Sequence, residues 1–155
     1  IEEINLPKIK TVMYAKGHYY LYKKKNPFKH LIYPLPNSNG HGIHAGMDIE
    51  NNLRFGPNAK WVDSIEYSFD ENTLDEFCNS IKSYWINFDP SCLTPDYTGI
   101  RSKTVAEGEG SQDFEILDAS DHGLENLIHL QGIDSPGLTS SLSIAAEVIS
   151  KLGIH

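Results

Sequence analysis

Residues 127–152 read LIHLQGIDSPGLTSSLSIAAEVISKL, and the fold turns on this stretch. Leu127-Ile128-His129-Leu130 is a short apolar run of the kind that forms a buried strand. Gly132 and Gly137 bracket a tight turn, and Ser135-Pro136 predicts an N-cap followed by proline in the first helical turn. From Leu138 the apolar residues fall at Leu142, Ala145, Ile149 and Leu152. That spacing predicts one apolar face of an amphipathic helix, stopped by Gly153. A strand that turns sharply into a helix presents unpaired N–H groups and the positive end of the helix dipole. Such an end suits a phosphate, a carboxylate or an electron-rich carbonyl edge. The plainer reading is a terminal helix that only docks on a sheet.

The chain has 155 residues, enough for one domain or two small lobes with a core. A formal net charge of -8 argues against a nucleic-acid or anionic-membrane surface. Lys23-Lys24-Lys25 is the only basic run and abuts Asn26-Pro27, which predicts a solvated loop. No stretch approaches the roughly 18 apolar residues of a membrane span, and the start IEEINLPKIK lacks the pattern of a secretory signal. Cys78 and Cys92 have no CxxC spacing, so a reducing, cytoplasmic setting without a disulfide framework is expected.

Residues 11–22, TVMYAKGHYYLY, predict a strand in which Gly17 allows a bulge or a close backbone approach. Leu31-Ile32-Tyr33 predicts a second strand, ended by Pro34, Pro36 and the loop Asn37-Ser38-Asn39-Gly40. In a third, from Gly42 to Ile49, Ile43, Ala45 and Met47 share the core face while His44, Gly46 and Asp48 share the other. Leu53-Arg54-Phe55 follows, then the loop Gly56-Pro57-Asn58. Strands joined by short turns point to an antiparallel sheet. Thr73-x-x-Glu76 has the form of a capping box, and Leu74, Phe77, Ile81, Tyr84, Trp85 and Phe88 recur at helical intervals until Pro90. The connection 89–98 is taken as a lobe boundary. Tyr97–Lys103 reads as extended, with Tyr97, Gly99, Arg101 and Lys103 on one face, and Phe114–Leu117 as a short strand.

Several side chains invite chemistry. His41 and His44 have the look of a ligand pair, but residues three apart on a strand face opposite sides, so no metal site is expected. Asp48 would lie ~13 Å along the strand from His44, too far to pair with it. His44, off the core face, is either a general base or substrate hydrogen-bond partner, or else a structural or solvent-facing histidine. Arg101 has room beside Gly99 to grip a carboxylate with two parallel hydrogen bonds, or it is an ordinary surface arginine. Cys78 is most simply a core residue. There is no nucleophile elbow, no GxxxxGK loop and no GxGxxG after a strand.

Taken in order, KGHYYLY (16–22), HLIYPLP (30–36), GIHAGMD (42–48), LRFGPNAKWVD (53–63), PDYTGIRSK (95–103) and LIHLQGIDSPGLTSSLSIA (127–145) resemble FAD-dependent oxidoreductases of the D-amino-acid oxidase superfamily. The similarity is greatest to the branch containing L-2-hydroxyglutarate dehydrogenases and oxidases. It covers nearly the whole chain and matches only the carboxyl-terminal part of such an enzyme, without the strand, glycine loop and helix that hold the ADP half of FAD.

The resemblance implies an α+β fold: residues 1–95 as a substrate lobe, with an antiparallel-rich sheet and a covering helix, and 96–155 as the C-terminal strands and helix of an incomplete FAD lobe. It implies FAD as cofactor, with Gly132, Ile133, Asp134, Ser135, Pro136, Gly137, Leu138 and Thr139 approaching the flavin, where the helix start would stabilise negative charge. Arg101 would bind the substrate carboxylate, His44 would take the hydroxyl proton as hydride leaves for the flavin, and Tyr33 would line the same cleft. Ser102 stands where the family usually has proline. Three functions follow as expectations. One is the C-terminal fragment or subunit of an oxidoreductase for a small 2-hydroxy acid, binding FAD weakly or not at all unless a separate N-terminal FAD-binding chain is supplied. Another is a non-catalytic remnant that self-associates as a homo-oligomer through exposed apolar surface. The third is the same superfamily acting on an amino acid or glycerol phosphate.

Overall fold

The computed structural model describes residues 9–35, 42–110 and 112–154. Its elements, in order, are β1 (Met13–Tyr22), β2 (Ala45–Met47), β3 (Leu53–Phe55), β4 (Lys60–Val62), α1 (Leu74–Lys82), β5 (Leu93–Lys103), β6 (Glu115–Leu117), α2 (Ala119–His122), β7 (His129–Gln131) and α3 (Ser141–Lys151). They divide into two compact units: Tyr14–Arg101, and the segments flanking it on either side. The expected boundary at 95/96 therefore falls inside a continuous strand, β5, and the division comes after Arg101.

In the Tyr14–Arg101 unit the strands run in the order β2-β3-β1-β4, with β5 also paired to β1. Both β3 and β4 lie antiparallel to β1, at opposite ends of it. Alternation along these strands puts Tyr20, Tyr22, Ala45, Leu53 and Phe55 on one buried face. α1 covers that face with Phe77, Cys78 and Ile81, which are also buried, and Phe88 follows from the turns after it. The core is strongly aromatic: Tyr20 packs on Phe77 at 4.7 Å between ring centroids, and Tyr22 meets Trp85 edge-on at 5.0 Å.

Tyr20 pairs with Phe55 and Lys16 with Lys60, so residues 17–19 stand opposite 56–59 and the returning strand carries one extra residue. The close approach expected at Gly17 is present: a Cβ there would lie 2.7 Å from Cβ of Pro57. Asn58 replaces the ladder partner that the bulge removes. Its Oδ1 accepts from the His18 backbone N–H at 2.9 Å and from His18 Nδ1 at 3.0 Å, and its Nδ2 donates to Glu76 Oε2 at 3.0 Å. Since His18 and Asn58 are both buried, Asn58→Ala leaves two donors without an acceptor and is expected to cost about 1–3 kcal/mol. A denaturant midpoint equal to wild type would show that water takes over the role.

Several expectations change. Leu31-Ile32-Tyr33 forms only an isolated bridge, Ile32 to Ala45, because Pro34 cannot extend a ladder. The third strand shortens to Ala45–Met47, and β4 was not foreseen. The Thr73–Glu76 capping box does not form. Asp70 caps a 3-10 turn at Glu71–Thr73, the Thr73 hydroxyl bonds Asp70 O and Tyr20 Oη, and Glu76 turns to Asn58.

In the other unit β6 and β7 pair antiparallel, Glu115 with Gln131 and Leu117 with His129. Leu130 is substantially exposed whereas Gln131 is buried, reversing the sense of the apolar run 127–130. The cause is a polar network: Gln131 Nε2 donates to Glu115 at 2.5 Å, its Oε1 accepts from the Lys10 backbone N–H, and Lys10 Nζ reaches Glu115 at 2.6 Å. Asp118 and Asp121 form a capping box on the short α2, which ends on the left-handed Gly123. Lys151 Nζ of α3 reaches Asp118 at 2.7 Å. The apolar face predicted for α3 exists but is not buried: Leu142 is 85% exposed, Ile149 49%, and no residue of α3 is buried. Among the described residues no helix is long and apolar enough to cross a membrane.

Candidate functional site

The residues expected to carry chemistry fall into two groups, one in each unit. In the Tyr14–Arg101 unit, Tyr33 packs against His44, with ring centroids 4.3 Å apart and planes at 53°. Pro34 and the lone Ile32–Ala45 bridge bring Tyr33 alongside His44, the residue before β2. Ala45 faces the core, so His44 faces away from it, as alternation predicts. Its carbonyl accepts from Gly56 N–H at 3.0 Å, which aligns His44 with Gly56, the residue after β3. Arg101 lies in β5, separated from β2 by β3 and β1 in the strand order. His41 lies outside the described residues, so the HGIH pair has no geometry to test.

The outward face of this sheet carries more than the sequence reading assigned. Tyr19 alternates with the buried Tyr20 and stacks on Tyr97 of β5, with centroids 4.5 Å apart and planes at 16°. A Cβ at Gly56 would fall 2.9 Å from Cδ1 of Tyr19, so only glycine lets that ring lie close over the strand. Sequence alternation groups Tyr97 with Arg101 but singles out neither Tyr19 nor Gly56. Their signal was present in the His18/Tyr20/Tyr22 alternation of KGHYYLY and in the Gly-Pro-Asn break, yet the pairing needs the register. Arg54 closes one side by holding two carboxylates, Asp96 and Asp48, each at 2.5 Å. The Asn52 side-chain amide and backbone N–H, reinforced by Arg54, hold the Asp48 carboxyl down at about 2. Asp96, and then Asp48, raise the Arg54 guanidinium further. This arginine is fully engaged by its own sheet.

In the other unit, residues 132–139 form a compact turn. Gly132 has φ +69, and Asp134 N–H reaches back to Gly132 O at 2.9 Å. Gly137 N–H closes on Asp134 O at 2.5 Å, which encloses Ser135 and a cis Pro136 in the turn. The expected helix start is thereby corrected: Ser135 is no N-cap, and α3 begins only at Ser141. Lys103 Nζ forms an ion pair with Asp134 and steadies the turn. Beside Gly132 and Ile133 lies a cleft of about 210 Å³ whose wall includes Ile9, Val12, Thr104 and Leu130.

Among the described residues no acceptor meets the N–H of Leu138 or Thr139, both on exposed residues. Two adjacent donors on a glycine-bounded turn suit the electron-rich edge of a planar cofactor, so the residues present fit the flavin expected here. Gly137 is essential to that shape. A Cβ there would sit 2.6 Å from Asp134 O and 2.7 Å from Ile133 Cγ2. Gly137→Ala is expected to force the turn open at about 1–3 kcal/mol, read as weaker FAD retention by the assembled enzyme. Unchanged retention would separate the turn from the cofactor.

Comparison with known proteins bears on both groups together. A family model described as FAD dependent oxidoreductase matches residues 2–151. The mitochondrial L-2-hydroxyglutarate dehydrogenase of Arabidopsis thaliana is 33% identical over 150 residues, covering 89% of this chain and 31% of that protein. Glycerol 3-phosphate oxidase of Mycoplasma genitalium is 30% identical over 145 residues, covering 90% of this chain and 36% of its own. Among solved structures, the dithionite-reduced L-alpha-glycerophosphate oxidase of Mycoplasma pneumoniae with FAD bound superposes with a TM-score of 0.73. It is 18% identical and covers 94% of this chain and 38% of that one, a likeness of fold. The chain thus spans about a third of the length of these curated relatives. On this evidence the chain belongs to the DAO family of FAD-dependent oxidoreductases, whose cofactor is FAD.

Proposed function

We propose that this chain supplies the substrate-binding lobe and the closing part of the FAD lobe of an enzyme that oxidises a small 2-hydroxy acid of the L-2-hydroxyglutarate type. The observation that carries this reading is Tyr33 packed on His44, on the outward face of a sheet whose β5 bears Arg101. The relationship to L-2-hydroxyglutarate dehydrogenase at 33% identity supports the substrate class. Arg101 binds the substrate carboxylate through two parallel hydrogen bonds. His44 takes the proton of the substrate hydroxyl, its ring held by the Tyr33 contact. The turn Gly132–Thr139 holds FAD, with the N–H groups of Leu138 and Thr139 towards its electron-rich edge. When bound, FAD supplies the two-electron acceptor.

A second substrate reading, a glycerol phosphate, is favoured by the relationship to the Mycoplasma genitalium oxidase at 30% identity. A non-catalytic reading is favoured by the exposed apolar residues of α3, Leu142 and Ile149. Such residues are covered either by a nucleotide-binding lobe, in the same polypeptide or a separate one, or by a second copy of the chain. The chain alone is expected to bind FAD weakly or not at all, and to self-associate. Incubation with excess FAD followed by desalting, with sedimentation in parallel, tests this. A colourless oligomer that gains a flavin band on adding the nucleotide-binding lobe supports the reading. A colourless, monodisperse monomer that never takes up flavin contradicts it.

A further inference from the structure

From His44 towards β5, the outward face carries an aromatic shelf. His44 accepts from Gly56 N–H through its carbonyl, Gly56 stands beside Tyr19, and Tyr19 stacks on Tyr97 of β5, the strand that carries Arg101. A ligand held by His44 and extending across β3 and β1 towards β5 passes over these rings. The shelf is open on the Arg101 side. Among the described residues a Cβ at Gly99 would meet no atom within 4 Å, and two-residue alternation carries Gly99 and Arg101 to the face of Tyr97. The rings offer flat apolar faces, and the nearby cation, Arg54, is already held by Asp48 and Asp96. Such a surface favours contact with methylene groups over a second charge.

We infer that Tyr19 and Tyr97 are specificity-determining residues of this site, receiving the methylene segment of the substrate and selecting extended 2-hydroxy acids over short ones. The inference rests on the 2-hydroxy-acid reading given above and adds to it the residues that measure substrate length. Tyr19 is pinned over Gly56, while Tyr97 is 48% exposed and bears the free face.

The test uses the FAD-loaded enzyme containing the full chain, with Tyr97→Ala and Tyr97→Phe. The readout is kcat/KM for L-2-hydroxyglutarate divided by that for L-lactate, which has no methylene segment. Loss of contact with one or two methylenes is expected to lower this ratio by about tenfold or more in Tyr97→Ala. The ring-retaining Tyr97→Phe is expected to keep the wild-type ratio. An unchanged ratio in a folded Tyr97→Ala, or an equal fall in Tyr97→Phe, overturns the inference while leaving the 2-hydroxy-acid reading in place. Should Tyr97→Ala not fold, Tyr97→Gln, which keeps bulk and replaces the apolar ring face with an amide, takes its place: a fallen ratio supports the inference and an unchanged one overturns it. Wild-type enzyme that oxidises neither acid overturns the reading itself, and the inference with it.

Discussion

Phe77→Ala is expected to unfold the Tyr14–Arg101 unit or bring it close to unfolding. The ring is fully buried, packs on Tyr20 at 4.7 Å, and with Ile81 forms the fully buried contact of α1 with the sheet. Truncation of a buried phenylalanine removes its transfer free energy and leaves a cavity, together about 3–5 kcal/mol. A small domain is stable by only about 5–15 kcal/mol, so the loss takes much of the margin. Neighbouring aromatics limit collapse into the void, since Tyr20 is also tied by its hydroxyl to Thr73 at 3.0 Å. Chemical denaturation followed by tryptophan emission reads the effect directly, because Trp85 packs on the same core through Tyr22 and Phe55. A shift of less than about 1 kcal/mol would mean that α1 is not the lid of this core.

His44→Ala is expected to have the largest effect on chemistry. In the assembled enzyme, loss of a positioned proton acceptor lowers kcat by about 10²–10⁴-fold. The fold should survive, because His44 lies off the core face and its structural bond to Gly56 runs through the backbone carbonyl. Tyr33→Phe, which keeps the ring contact at 4.3 Å, should then cost far less than His44→Ala. Steady-state kinetics with bound flavin confirmed by absorbance would distinguish the cases. A rise in KM with kcat unchanged would make His44 a binding residue and not the base.

How much of this was legible in the sequence depends on the range of the interaction. β1, α1 and its buried stripe, and the outward facing of His44 follow from periods of two and 3.6 along one segment. Gly17 was legible as a close approach, though not which residue approached. What failed was competition between local partners. Thr73 had the pattern of a capping box, but Asp70, three residues earlier, captured the turn and Glu76 found Asn58. Ser135-Pro136 had the pattern of a helix start, but Gly137 N–H closed on Asp134 O first. Gln131, polar by type, is buried because Lys10 and Glu115 satisfy both ends of its amide. The Tyr19–Gly56–Tyr97 shelf joins three strands distant in sequence, and no single-segment pattern reports a register. The resemblance carried by the six ordered motifs supplied family and cofactor where local spacing alone left both open.

The face bearing His44 and Arg101 is proposed to be where a flavoenzyme containing this chain oxidises 2-hydroxy acids. Anaerobic mixing of the FAD-loaded enzyme with L-2-hydroxyglutarate, and separately with sn-glycerol 3-phosphate, tests it most directly. Bleaching of the visible flavin band by L-2-hydroxyglutarate, abolished in Arg101→Ala and slowed in His44→Ala, is the predicted result. Bleaching by sn-glycerol 3-phosphate alone, or by neither compound, would contradict it.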